Sequence, residues 1–268
     1  MDDVGRVRGG YDDSWVYLGS SESEGSSAVV CSNQQIIDGG NTLALANDCT
    51  LRPSTCMGGR LSRWLPMYTA LLAHIARYVA LTPAEAQLLG DHLTLQTVPR
   101  KAYLLAAGQT CTASFFVLKG CLRMYFITEK GTEQITRFAL ENWWLTDHAS
   151  LLSQRPAQSF MQAVEPTTVA VLDHARQEEL LAQVPALERY FRLVLERVVA
   201  ADQMRFVYQF GLSAEERYHH FSSAFPGFVQ RVPQYMLASY LGFTPEFLSK
   251  IRARPGGHSA GKAGPHEP

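Results

Sequence analysis

The sequence predicts an α+β chain: an antiparallel β-roll of jelly-roll type, then one long helix, then a small C-terminal helical unit. Three observations predict it. Seven short β-rich runs divided by turn residues fill 93–173. A helical pattern runs without interruption from Pro185 to Phe210, and a helix, a glycine and a capped second helix follow one another within 232–254. With 268 residues, 46% hydrophobic and 18% charged, the chain is long enough to bury a sizeable core in two folded units.

In chain order, residues 1–66 come first. SSESEGSSAVVCSNQQIIDGGN mixes Ser, Gly, Glu and Asn without period, a composition that rarely builds a core. The segment reads as a disordered extension, with Met67 the expected natural start. From Met67, Leu71, His74, Ile75 and Tyr78 recur at helical spacing. Thr82, Pro83 and Glu85 then form a capping box that opens a second short helix.

The runs LTLQTV, YLLAAG, ASFFVLKG, CLRMYFIT, EQITRFAL, SFMQAVE and TTVAVLD follow. Many short strands before any long helix predict a roll, with hairpins expected at Lys119-Gly120 and at Lys130-Gly131. In the helix 185–210, Leu187, Phe191, Val194, Val198, Ala201, Arg205 and Tyr208 alternate at spacings of four and three. That seam suits lengthwise pairing with a second helix. Leu193, Leu195 and Val199 supply a second apolar face, so one face is expected on the roll and the other on a partner. Residues 67–184 thus form the roll with flanking helices, 185–210 a dimerisation helix and 211–254 the terminal unit; 255–268 is a disordered tail.

Ser213 and Glu216 form another capping box. In VPQYMLASYLGFTPEFLSKIRAR, Leu237, Leu241, Phe243, Leu248 and Ile251 fall where a helix-turn-helix needs apolar contacts. Ala238 sits at the close approach, Gly242 at the turn, Thr244 at the cap and Pro245 in the first turn. Off the buried stripe lie Glu246, Phe247, Ser249, Lys250, Arg252 and Arg254, side chains able to reach base edges or phosphates in a major groove. Gln234, Tyr235 and Thr244 add candidate contacts at the two helix starts.

The roll, long helix and helix-turn-helix, together with ENWWLTDHASLLSQRPAQSF, LSAEERY and RVPQYMLASYLGFTPEFLSKIR, resemble the Crp/Fnr family of bacterial transcription regulators over roughly 70–254. The resemblance implies a cyclic-nucleotide-binding-like roll that senses a small effector. It also implies a homodimer on a palindromic operator in double-stranded DNA, with RNA polymerase as a further partner. The family's cyclic-AMP binders carry Gly-Glu and then Arg-Ser in a phosphate cassette. Here the matching positions hold Thr146-Asp147 and Gln158-Ser159, which with Trp144 make the candidate effector pocket. Gln158 has no charge for a phosphate, a loss of about 1.5–3 kcal/mol, so cyclic AMP is not the expected effector. No β-hairpin wing is expected beside the helix-turn-helix.

Other functions are excluded or less favoured. Cys31, Cys49, Cys56, Cys111 and Cys121 are too dispersed for a metal or iron–sulfur site. A cupin-type enzyme would need clustered histidines, and the strands hold only His148, with His174 at their edge; no catalytic residues or cofactor are expected. A signalling module working through protein contacts without DNA is the alternative reading. No apolar run approaches the roughly 20 residues of a membrane span, and a cytoplasmic location is expected.

Overall fold

The computed structural model describes residues 61–253. Helix α1 (Leu61–Ala76) starts upstream of Met67, so the helical part reaches into the expected extension; the rest of that extension, the tail and Arg254 lie outside the described residues. Helix α2 (Pro83–His92) opens with both halves of its capping box, Thr82 accepting from the Glu85 N–H and Glu85 accepting from the Thr82 N–H at 2.7 Å.

Eight strands follow: β1 (Leu93–Val98), β2 (Tyr103–Leu105), β3 (Ala113–Lys119), β4 (Leu122–Ile127), β5 (Glu133–Ala139), β6 (Trp144–Leu145), β7 (Phe160–Ala163) and β8 (Thr167–Asp173). They form two four-stranded sheets, ordered β1-β8-β3-β6 and β2-β7-β4-β5, with every pairing antiparallel. All seven expected runs are strands. The two-residue β6 and helix α3 (His148–Ser153) were not anticipated, although Asp147 three residues before Ser150 is a legible cap: the Ser150 N–H donates to Asp147 Oδ1 at 3.0 Å.

One of the two hairpins needs correcting. Lys130-Gly131 does join the paired β4 and β5, with Gly131 at φ +76°. Lys119-Gly120 does not close a hairpin, because β3 and β4 belong to different sheets. It is a corner. Gly120 lies at φ +105°, and a Cβ there would stand 2.5 Å from Thr167 Oγ1 and 2.7 Å from its Cα. A hairpin and a corner share the turn residue, and only the partner of the following strand tells them apart.

Between the sheets, Val117, Leu122, Met161 and Val169 fill the roll. The strand period turns Phe116 and Leu172 the other way, onto a second cluster with Leu71, Leu89, Leu180, Leu187 and Tyr190 from the helices. Strand β3 reads apolar on both faces because both are covered. Helices α4 (His174–Gln183) and α5 (Pro185–Gly211) complete this layer. Helices α6 (Ala214–Ala224), α7 (Pro226–Arg231), α8 (Gln234–Leu241) and α9 (Pro245–Ala253) pack a third cluster against Tyr125, Ile135 and Phe138 of the second sheet. Where a wing would precede the helix-turn-helix, the chain forms α7. No helix among the described residues is long and apolar enough to cross a membrane.

Candidate nucleic-acid interface and sensor cavity

Helices α8 and α9 are joined as the residues dictate. Gly242 takes φ +77°, the Phe243 N–H returns to the Ala238 carbonyl at 2.8 Å, and the Phe247 N–H donates to Thr244 Oγ1 at 3.2 Å. Leu237, Ala238, Leu241, Leu248 and Ile251 are buried. That consumes one stripe of each helix and leaves Gln234, Tyr235, Glu246, Ser249, Lys250 and Arg252 exposed, with Phe247 partly held by Phe243 at 5.6 Å. With Thr244, also exposed, that makes eight of the nine expected contact residues open to solvent; Arg254 lies outside the described residues. Hydrogen bonds from its own N–H and the Thr244 side chain, with Lys250 nearby, hold Glu246 below the usual carboxylate range.

The unit is fixed to the roll through an edge strand. Strand β5 ends its sheet, and unpaired edge groups need partners. Ser239 Oγ of α8 accepts from the Ile135 N–H at 2.9 Å and donates to the Glu133 carbonyl at 2.7 Å. Arg205 of α5 donates to the Thr136 carbonyl and lies 4.3 Å over the Tyr240 ring. Arg231 of α7 meets Glu141 with two bonds at 2.8 and 2.7 Å and Glu165 at 3.0 Å, and both carboxylates raise its pKa. These contacts orient α8 and leave the outer face of α9 clear.

On α5 the expected pairing seam turns inward. Leu187 is fully buried in the chain's own core, Phe191 and Val194 pack against that core, and Val198, Ala201 and Arg205 line a cavity beneath the helix. The open apolar stripe lies beside it, about a third of a turn round the helix: Leu195, Val199, Phe206 and Phe210, the last 84% exposed. Their spacing of four, seven and four places them on one side. Leu195 and Val199 belonged to the second apolar face, so the sequence offered two stripes but not which one the roll would take.

The expected effector pocket does not converge. Asp147 caps α3 and accepts a second bond from the Ser159 hydroxyl; Thr146 donates to Ser114 Oγ at 2.9 Å; Gln158 is exposed. Acid and hydroxyl thus satisfy each other, and the position beside Ser159 holds the uncharged Gln158 rather than a guanidinium. Trp144 instead donates to the Tyr190 hydroxyl at 2.8 Å, which meets His74 Nδ1 at 2.8 Å. Trp144 and Thr146 border a wide groove of about 680 Å³ between α3, α4 and α5. Trp144 also lines the smaller cavity, about 140 Å³, where α1, α5, α8 and the stretch from β5 to β6 meet.

Sequence reasoning missed the residues that shape this smaller cavity, among them Tyr78, Arg137, Arg197 and Tyr240. One signal was available: Arg205 occupies a seam position where an apolar residue would be ordinary. Arg197 donates to the Tyr78 hydroxyl at 2.7 Å and Arg137 pairs with Asp202. Burial first, and then Arg77 and Arg197, push His74 down to about 4.

Residues 95–184 match the family model described as the cyclic nucleotide-binding domain. The anaerobic regulatory protein of Haemophilus influenzae is 26% identical over 168 residues, 59% of this chain and 65% of that protein. The transcriptional activator protein anr of Pseudomonas aeruginosa is 28% identical over 163 residues, 57% and 66% of the two chains. The alignment spans just under two thirds of the length of these curated relatives. Among solved structures, FixK2 from Bradyrhizobium japonicum superposes with a TM-score of 0.50 at 17% identity, over 60% of this chain and 83% of that one, a likeness of fold.

Proposed function

We infer that this chain is a member of the Crp/Fnr family and a homodimeric, sequence-specific DNA-binding transcription regulator whose roll answers to a small effector other than cyclic AMP. The single observation that carries the reading is α9: capped and packed on one stripe, docked through α8 to the roll, with Glu246, Ser249, Lys250 and Arg252 open to solvent. A helix so held enters a major groove with its outer residues on base edges and Gln234 and Tyr235 on phosphates.

A second copy covers Leu195, Val199, Phe206 and Phe210 of α5. This supports two-fold recognition of half-sites about 34 Å apart, with RNA polymerase the partner at the promoter. The Asp147–Ser159 pair and the exposed Gln158 support an effector that is not a cyclic phosphate. The test is a salt-titrated anisotropy measurement on a duplex selected from a random pool. Affinity falls steeply as salt rises, and Lys250→Ala weakens binding to the selected duplex; a module that works only through protein contacts has no DNA affinity to lose.

A further inference from the structure

We propose that the cavity between α1, α5, α8 and the stretch from β5 to β6 binds a small single-ring aromatic carboxylate, and that this ligand is the effector. The binding claim stands on the cavity alone; the word effector rests on the regulator reading above.

Three features define the ligand. The first is the wall: Tyr78, Trp143, Trp144 and Tyr240 present ring surface, and a planar aromatic solute makes edge and face contacts with such walls. The second is charge. Arg137, Arg197 and Arg205 line the space with one carboxylate, Asp202. Asp202 answers Arg137, whereas Arg205 donates to the Thr136 and Tyr240 carbonyls, which cancel no charge. Trp143 adds a buried indole N–H with no acceptor among the described residues, a donor that an entering carboxylate satisfies.

The third feature is size. At about 140 Å³ the space is close to the roughly 150 Å³ of a cavity that admits one benzene ring, and well under the roughly 300 Å³ at which pockets for larger ligands begin. One ring with one anionic group fits; a purine carrying a ribose and a cyclic phosphate does not. The position then gives the ligand an effect. An occupant touches Trp143 and Trp144 from the roll, Val198 and Ala201 from the long helix and Tyr240 from α8. It therefore binds unequally to arrangements that differ in how α8 sits on the roll, the requirement for a ligand to shift an equilibrium between them.

The experiment titrates the full chain with sodium benzoate, benzamide and cyclic AMP, following tryptophan emission. Benzoate gives a saturable change. Benzamide, the same ring without the charge, binds at least tenfold more weakly, and cyclic AMP gives no response. Ala201→Phe fills the space and abolishes the benzoate response with the circular dichroism spectrum unchanged. Should that variant not fold, Arg197→Gln serves instead, by erasing the preference of benzoate over benzamide. Benzoate also changes the DNA affinity of the parent protein and not that of the filled variant. No saturable response at millimolar benzoate, equal binding of benzamide, or undiminished binding by Ala201→Phe overturns the site. DNA binding without benzoate binding removes this inference and leaves the regulator reading intact. Benzoate binding by a protein that never binds DNA keeps the ligand and overturns its role as effector.

Discussion

Between Leu187 and Tyr190 the helix α5 is sealed against its own roll, while between Phe206 and Phe210 it shows bare rings to solvent. The two ends have similar apolar content but different partners. The first end meets sheet and helices of the same chain and is part of the monomer's core. The second runs toward helices α6 to α9 with Phe206 and Phe210 exposed, and it is the end that the proposed second copy covers. A helix pattern says how many faces are apolar; the surrounding elements decide which face is spent within the chain and which is left for assembly.

The largest effect that sharpens this contrast comes from Leu187→Ala. Truncating a fully buried leucine leaves a cavity and costs about 2–5 kcal/mol, read as a fall in the denaturation midpoint. Phe210→Ala, at the open end, leaves the stability of the separated protomer within about 0.5 kcal/mol. Equal losses at the two sites would break the comparison.

Next is the paired change Phe206→Glu and Phe210→Glu. Two carboxylates on the open stripe replace apolar contact with like-charge repulsion across the two-fold axis. Sedimentation is expected to show a protomer in place of a dimer, and operator affinity to fall by about a hundredfold or more, since each half-site is then held alone.

A smaller effect is the pH response of the sealed end. His74, bonded to Tyr190, is held at about 4 in the folded chain against an ordinary 6.5. The unfolded chain therefore binds the extra proton first. Stability is unaffected above pH 6.5, falls as the pH drops from 6.5 toward 4, and levels off below; with partial solvent screening the loss is on the order of 2 kcal/mol. Urea titrations across that window are expected to show the slope in the parent and a flatter one in His74→Asn. A slope of opposite sign contradicts the burial of this ring.

The smallest expected effect lies on α9. Lys250→Ala weakens operator binding about tenfold. If Lys250 touches a phosphate the loss is uniform across sequences and the salt slope falls by about one; if it reads a base, preference at one position relaxes.

Much of this architecture was legible in the residues. Turn residues and β-branched runs gave each of the seven longer strands, and the Thr82–Glu85 and Ser213–Glu216 boxes gave two helix starts that the structure reproduces. Gly242 and Thr244 placed the turn between α8 and α9 because backbone chirality and an unpaired N–H leave few alternatives there. What was not legible depended on distant partners. Gly120 looked like a hairpin until β3 and β4 were found in different sheets. The seam on α5 could not declare its side. The cassette residues, chosen by position in a pattern, close on each other, whereas the cavity is built from Tyr78 in the turn after α1, Arg137 on β5, Arg197 on α5 and Tyr240 on α8, a convergence that no local spacing encodes.

The most direct test is hydroxyl-radical footprinting of the full chain on a selected duplex. Two protected patches about one helical turn apart on one face of the DNA, both lost with the Phe206→Glu, Phe210→Glu protein, are the result predicted here. A single patch, or a footprint that survives those two substitutions unchanged, would contradict it.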